Sequence, residues 1–117
     1  HHGARIAAAG VALNSDACPA ACRQLAPGSD LLTDLDENEP TVPWLSVWTE
    51  NDETVQPPDS ARIDGAVNLS LQSLCPGVTV SHSQLPTDPL VTALVLKAVG
   101  TEPLAVPGSC AELRATT

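Results

Sequence analysis

Val42-Pro43-Trp44-Leu45-Ser46-Val47-Trp48 is a short, almost continuous apolar run. Pro40 and Pro43 bound it on one side and Glu50-Asn51-Asp52 on the other. Runs of this length, rich in β-formers and closed by turn residues, read as strands. The lack of strict alternation predicts a strand covered on both faces, as in parallel sheets. The stretch Val42 to Thr49 therefore predicts a parallel strand of an α/β fold. It ends in a polar turn that presents acids.

Other elements follow from punctuation. Ala4 to Leu13 is alanine-rich and reads as a weak helix with Gly10 inside. A short helix starts with Pro19 at its first position and runs to Leu25, stopping before Pro27-Gly28. Ser29 can cap a helix from Asp30 to Leu35, whose first turn carries an acid as the helix dipole prefers. Leu31, Leu32 and Leu35 fall on one side of it. Asp36 to Pro40 is a polar connector. Pro57-Pro58 breaks any long helix after Asp52, and Asp64-Gly65 makes a turn. Val67, Leu69 and Leu71 alternate with Asn68, Ser70 and Gln72, the period of a strand. Cys75-Pro76-Gly77 interrupts, and Val78 to Val80 is briefly extended before His82. Thr87 or Asp88 can cap a helix with Pro89 at its first position, running through Val91, Leu94, Val95 and Ala98 to stop at Gly100. From Thr101 the tail reads as irregular.

Composition narrows the class. Two tryptophans stand alone, with no Phe, Tyr or Met, in a chain that is 43% hydrophobic. Aromatics dominate many cores, so this one must close with Ala, Val and Leu. An alanine-rich coding bias accounts for that, and so does a piece of a larger domain whose packing partners lie elsewhere. Net charge is −9, and Lys97 is the sole lysine. That argues against nucleic acid and anionic membrane surfaces as partners, since both call for clustered Lys and Arg. The acids between Asp30 and Glu39 and between Glu50 and Asp64 read as a solvated face. A cation site on Asp30, Asp34, Asp36 and Glu39 lacks the central glycine of a calcium loop. No metal or cofactor is expected.

The cysteines are Cys18, Cys22, Cys75 and Cys110. C-x-x-x-C is not the usual zinc or redox spacing, and the histidines complete no zinc pattern. An even count on an acidic, lysine-poor chain favours disulfides and an exported protein over free thiols. Four cysteines permit three pairings. No run is long enough to span a membrane, and no signal peptide is recognisable.

Thirty positions after Asp52 comes His82, the only histidine beyond the first two residues. In a doubly wound sheet, active groups sit on loops beyond the carboxyl ends of the strands. Asp52 follows one strand and His82 the next, so both are expected at one edge. Imidazole titrates near working pH and suits a general base, and a carboxylate fixes its tautomer. The plainer alternatives are a surface-loop histidine and a turn-forming acid. No G-x-S-x-G turn occurs in the chain, so a nucleophile is missing.

Thr49-Glu50-Asn51-Asp52-Glu53-Thr54-Val55-Gln56-Pro57, Ile63-Asp64-Gly65-Ala66-Val67-Asn68-Leu69 and Ser81-His82 resemble the closing segment of bacterial secreted lipases. These belong to the α/β-hydrolase superfamily, specifically the small class 2 lipases and their actinobacterial relatives. Leu25-Ala26-Pro27-Gly28-Ser29-Asp30-Leu31-Leu32 is similar to their L-x-P-G-S-x-L-L stretch. His1-His2-Gly3 resembles the end of their T-P-H-x-G turn. The resemblance covers residues 1 to about 100. It implies the C-terminal portion of a doubly wound α/β-hydrolase sheet, with two to three strands and flanking helices. Residues 1–42 would form a helical, lid-side segment, and 43–100 the last strands, the acid and histidine loops and the terminal helix. Residues 101–117 would be a disulfide-tethered tail.

Asp52 corresponds to the acid and His82 to the base of a secreted serine lipase or esterase acting on ester or lipid substrates. The nucleophile and oxyanion hole would come from the missing N-terminal half. Asp52 is expected to orient His82 in preference to Glu50, Glu53, Asp59 or Asp88. Glu50 and Glu53 read as solvated charges, and Asp88 as a cap. The insertion carrying Cys75 departs from the smallest members. With the N-terminal segment leaving the sheet edge near Gly10, Cys18 is expected to pair with Cys22. Cys110 would pin a tail with little core of its own to Cys75. The competing class is a non-enzymatic, disulfide-stapled extracellular binding module, which four cysteines, many prolines and few aromatics also fit.

Overall fold

A computed structural model describes residues 3–13, 18–36 and 41–116. His1-His2, Glu39 and most of the Asp36–Pro40 connector lie outside the described residues. Two parallel strands form the centre: β1, Leu45–Trp48, and β2, Val67–Ser70. Their register runs from Leu45 opposite Val67 to Trp48 opposite Ser70. β1 begins three residues later than the apolar run suggests. Pro43 has no N–H to give a ladder, Val42 is exposed, and the first bond at this end is Val67 N–H to the Trp44 carbonyl, 2.9 Å.

The pair is covered on both faces, but only one cover is apolar. Leu45, Val47 and Leu69 enter the main core, which also holds Leu71, Cys75, Val80, Leu90, Ala93, Leu94 and Leu113. The other face carries Ser46, Trp48, Asn68 and Ser70, against which the 49–66 crossover folds back. Ser46 Oγ donates to the Ala61 carbonyl at 2.5 Å, and the Asn68 amide bonds the backbone of Ile63 and Ala66. The Arg62 guanidinium lies 5.7 Å from the Trp48 ring centre. A 3₁₀ turn, Pro58–Ala61, stands where parallel connections usually carry an α-helix.

β2 stops at Ser70, and the expected alternation through Leu71 does not hold. Ser70 Oγ accepts from Ser73 N–H at 3.0 Å, capping a helical turn, α4, Leu71–Leu74. Leu71 is buried from that turn rather than from a strand. For the later helix, α5, Pro89–Ala98, the sequence reading matches the structure. Asp88 Oδ1 accepts from Leu90 N–H at 2.9 Å, Pro89 opens the helix, and Gly100 follows its end. α5 buries Leu90, Ala93 and Leu94, while Val95 and Leu96 face outward, as does Val99 just past its end.

The tail is not irregular to its end. Ser109 Oγ caps a short helix, α6, Cys110–Arg114, through Glu112 N–H at 3.1 Å. Glu112 also takes Gly108 N–H and the Lys97 ammonium. Leu113, 1% exposed, closes the core, so the tail contributes a core residue rather than merely hanging from a disulfide. The Cys75–Cys110 bridge joins α6 to the end of α4.

The N-terminal part holds α1, Arg5–Leu13, α2, Ala20–Gln24, and α3, Asp30–Asp36. Pro19 stands one position outside α2, as its cap, instead of at its first residue. Ser29 Oγ accepts from Leu32 N–H at 3.3 Å and starts α3. Of that helix's leucines only Leu32 is buried; Leu31 and Leu35 are exposed. The second disulfide, Cys18–Cys22, rests on Gly10, where an added Cβ would come within 3.3 Å of Cys22 Sγ. Gly3 has φ of 109°, and a Cβ there would meet the Pro27 backbone at 2.5 Å. The next residue, Ala4, forms an antiparallel bridge with Val55, whose N–H binds the Asp52 carboxylate. Among the described residues, no helix is long and apolar enough to cross a membrane.

Candidate functional site

β1 delivers its chain into a tight turn whose first residue, Thr49, is fully buried. Asp52 N–H returns to the Thr49 carbonyl at 3.2 Å. Asp52 Oδ1 then accepts Thr54 N–H and Val55 N–H, both at 2.8 Å. Gln56 donates its side-chain amide to the Asp52 carbonyl. The carboxylate is thus held by the chain that follows it, the usual turn chemistry of aspartate. One oxygen is committed to backbone, and the other is left to face across the site.

The partner loop is built differently from expectation. His82 does not directly follow a strand. α4 and the Cys75-Pro76-Gly77 turn intervene, and His82 opens a 3₁₀ turn, His82–Thr87. Val80, buried in the core, anchors the approach. Gln84 Oε1 accepts Ser81 N–H at 2.8 Å and the Ser81 hydroxyl at 2.9 Å, fixing the start of the turn. The Ser81-His82-Ser83-Gln84 pattern is the S-x-x-Q signature of such a start, a signal present in the sequence.

The two loops meet at Asp52 Oδ2 and His82 Nδ1, 2.8 Å apart. The Asp52 side chain is 6% exposed and the His82 side chain 45%. Burial pushes the Asp52 carboxyl up. The hydrogen bond from His82, the N–H groups of Val55 and Thr54 and the attraction of an imidazolium pull it down further, so it rests below the usual carboxylate range. An ionised carboxylate can only accept, so Nδ1 carries the proton. In the neutral ring Nε2 then holds the free lone pair, the arrangement a general base needs.

Glu53 is exposed, and three other acids lie away from His82. Glu50 accepts from Ser70 Oγ at 2.8 Å, so it is tied to the strand pair rather than simply solvated. Asp88 caps α5. Asp59 lines an open cleft of about 470 Å³ with Trp48, Arg62 and Ser73, and neither Asp52 nor His82 borders it. Among the described residues no cluster of His, Cys, Asp and Glu could hold a metal ion. All four cysteines are paired, as Cys18–Cys22 and Cys75–Cys110. Intrachain disulfides of this kind are typical of extracellular proteins.

Two residues at the junction carry no signal in the sequence. Thr49 Oγ1 donates to the Val80 carbonyl at 2.6 Å, joining the acid loop to the histidine loop. Gln72, on α4, touches both loops. No protein-family model matches the chain, and no curated protein matches it either.

Proposed function

We propose that this chain is the closing portion of a doubly wound α/β-hydrolase, and that it supplies the acid and base of a secreted serine ester hydrolase acting on lipids. The observation that carries this reading is the Asp52–His82 pair. A buried carboxylate, locked by two backbone N–H groups, faces the Nδ1 side of an imidazole that stays accessible. A surface histidine with no role needs no such backing.

His82 Nε2 takes the proton of a serine hydroxyl as its oxygen bonds the ester carbonyl carbon. Asp52 stabilises the imidazolium. The same proton passes to the departing alkoxide as the acyl-enzyme forms. Water, deprotonated by His82 in turn, bonds the acyl carbon; the serine oxygen leaves, takes that proton back from His82, and the carboxylic acid is released. The serine and the oxyanion donors belong to the missing N-terminal half of the same domain. Two features support a missing half. Among the described residues there are two strands, fewer than an independent sheet usually needs. α5 is apolar on its outer side as well, with Val95 50% and Leu96 61% exposed, the mark of a helix that is covered on both sides.

The test compares the 117-residue chain with the product extended by the coding sequence upstream of His1, on p-nitrophenyl acyl esters. The short chain is expected to be inactive and the extended one active. Asp52→Asn in the extended protein is expected to lower kcat by on the order of 10²–10⁴ while the fold persists, because the amide favours the wrong imidazole tautomer. His82→Ala should do at least as much. Near-normal kcat in Asp52→Asn would overturn the assignment, and turnover by the short chain alone would require a nucleophile within it.

A further inference from the structure

Asp52 and His82 lie thirty residues apart on loops that share no strand ladder, so their 2.8 Å contact needs something to hold the two loops in register. The backbone locks around Asp52 fix the carboxylate within its own turn. The Ser81–Gln84 bonds fix the imidazole within its own turn. Neither relates one turn to the other. Thr49 supplies one link, to Val80. The rest converge on a single side chain.

Gln72 projects from α4 between the loops. Its Oε1 accepts Glu50 N–H at 2.9 Å. Its Nε2 has two N–H groups and three acceptors in reach, so one N–H is shared: Thr49 Oγ1 at 3.0 Å and Asn51 Oδ1 at 2.8 Å, both on the acid turn, and the Val78 carbonyl at 3.2 Å, on the approach to His82. An amide is the side chain that can both accept and donate here, since a carboxylate would only accept and an ammonium only donate. Thr49 Oγ1 gives its proton to Val80, so it can only receive from Gln72, which sets the orientation of the carboxamide. α4 itself is held from behind by buried Leu71 and by Cys75, bridged to Cys110.

We propose that Gln72 is a positioning residue that clips the acid-bearing turn to the histidine-bearing loop and thereby sets the Asp52–His82 alignment. The catalytic meaning of that alignment rests on the function proposed above; the clip itself does not. Gln72 touches no reacting atom. It acts through Thr49, Glu50 and Asn51 on one side and Val78 on the other.

The ring Nδ1 proton of His82, seen by ¹H–¹⁵N NMR on the 117-residue chain, reports the Asp52–His82 bond directly, with Asp52→Asn as the reference lacking the carboxylate. In Gln72→Leu this proton is expected to move toward its position in Asp52→Asn. It should exchange with water about tenfold faster, as loss of roughly one net hydrogen bond implies. The amide signals of α5 should stay in place. Gln72→Glu keeps the bond from Glu50 N–H but loses the donor, and should fall between the two; it also serves if the leucine variant does not fold. In the extended, active protein, Gln72→Leu should lower kcat by on the order of 10- to 100-fold with KM little changed, the signature of misplaced catalytic groups. A His82 Nδ1 signal identical to wild type in both variants overturns the clip. A moved signal in a product that hydrolyses no ester upholds the clip and sinks the function instead.

Discussion

The two disulfides are a matched pair for testing where this chain's stability comes from. Each joins one buried cysteine, Cys18 or Cys75, to one half-buried partner, Cys22 or Cys110. Replacing either pair by alanine therefore removes similar side-chain volume from similar surroundings. The loops differ: Cys18 and Cys22 are 4 residues apart, Cys75 and Cys110 are 35. In the chain-entropy account, opening the long loop frees about 3.8 kcal/mol of unfolded-state entropy at room temperature, and opening the short one about 1.9 kcal/mol. The doubly substituted Cys75→Ala, Cys110→Ala chain is thus expected to lose about 2 kcal/mol more than the Cys18→Ala, Cys22→Ala chain. Against a typical total of about 5–15 kcal/mol, the first loss is a large share. Equilibrium urea unfolding followed by tryptophan emission reads both. Trp48, 7% exposed, moves into water on unfolding, whereas Trp44, 47% exposed, changes less. If the short-loop pair costs as much as the long-loop pair, loop entropy does not govern these bridges, and local packing at α1 and α2 does.

Two further outcomes follow from the core and the site. Leu113→Ala should cost about 2–5 kcal/mol in thermal unfolding; a cost below about 1 kcal/mol would mean that α6 does not close the core. Asp52 has a lowered folded pKa, so its contribution to stability is fully present above the ordinary aspartate value of about 3.9 and is lost as pH falls from there through the folded value. Urea midpoints taken downward from about pH 5 should therefore fall more steeply in wild type than in Asp52→Asn; equal slopes would contradict the lowered pKa.

What the sequence determined by itself is the chemistry that acts over a few residues. Ser29 before Asp30, Asp88 before Pro89, and Gly100 after Ala98 mark helix ends because capping bonds and proline's fixed φ are local. The order of strand, acid and lone histidine was legible for the same reason, since turn residues declare themselves. The Cys75–Cys110 bridge agrees with the expected pairing, although the tail it holds is also anchored by Leu113 in the core.

Local patterns failed where two were in competition. Leu71 continues a period of two but follows Ser70, whose hydroxyl can cap a helix, and the cap prevailed. Val42 continues the apolar run, but Pro43 cannot extend the ladder. α6 is too short to be stable on propensity alone. It exists because Leu113 has a core to enter and Cys110 has a partner, both contributed by residues far away in sequence.

The distance between Asp52 and His82 belongs wholly to tertiary structure. It is set by Thr49 reaching Val80 and Gln72 reaching Glu50, Asn51 and Val78. A threonine and a glutamine in those places have no spacing or composition that marks them. Their hydrogen bonds acquire direction only once β1, β2 and α4 have packed, because only then do Thr49 and Val80, and Gln72 and the acid turn, face each other across more than twenty residues of chain.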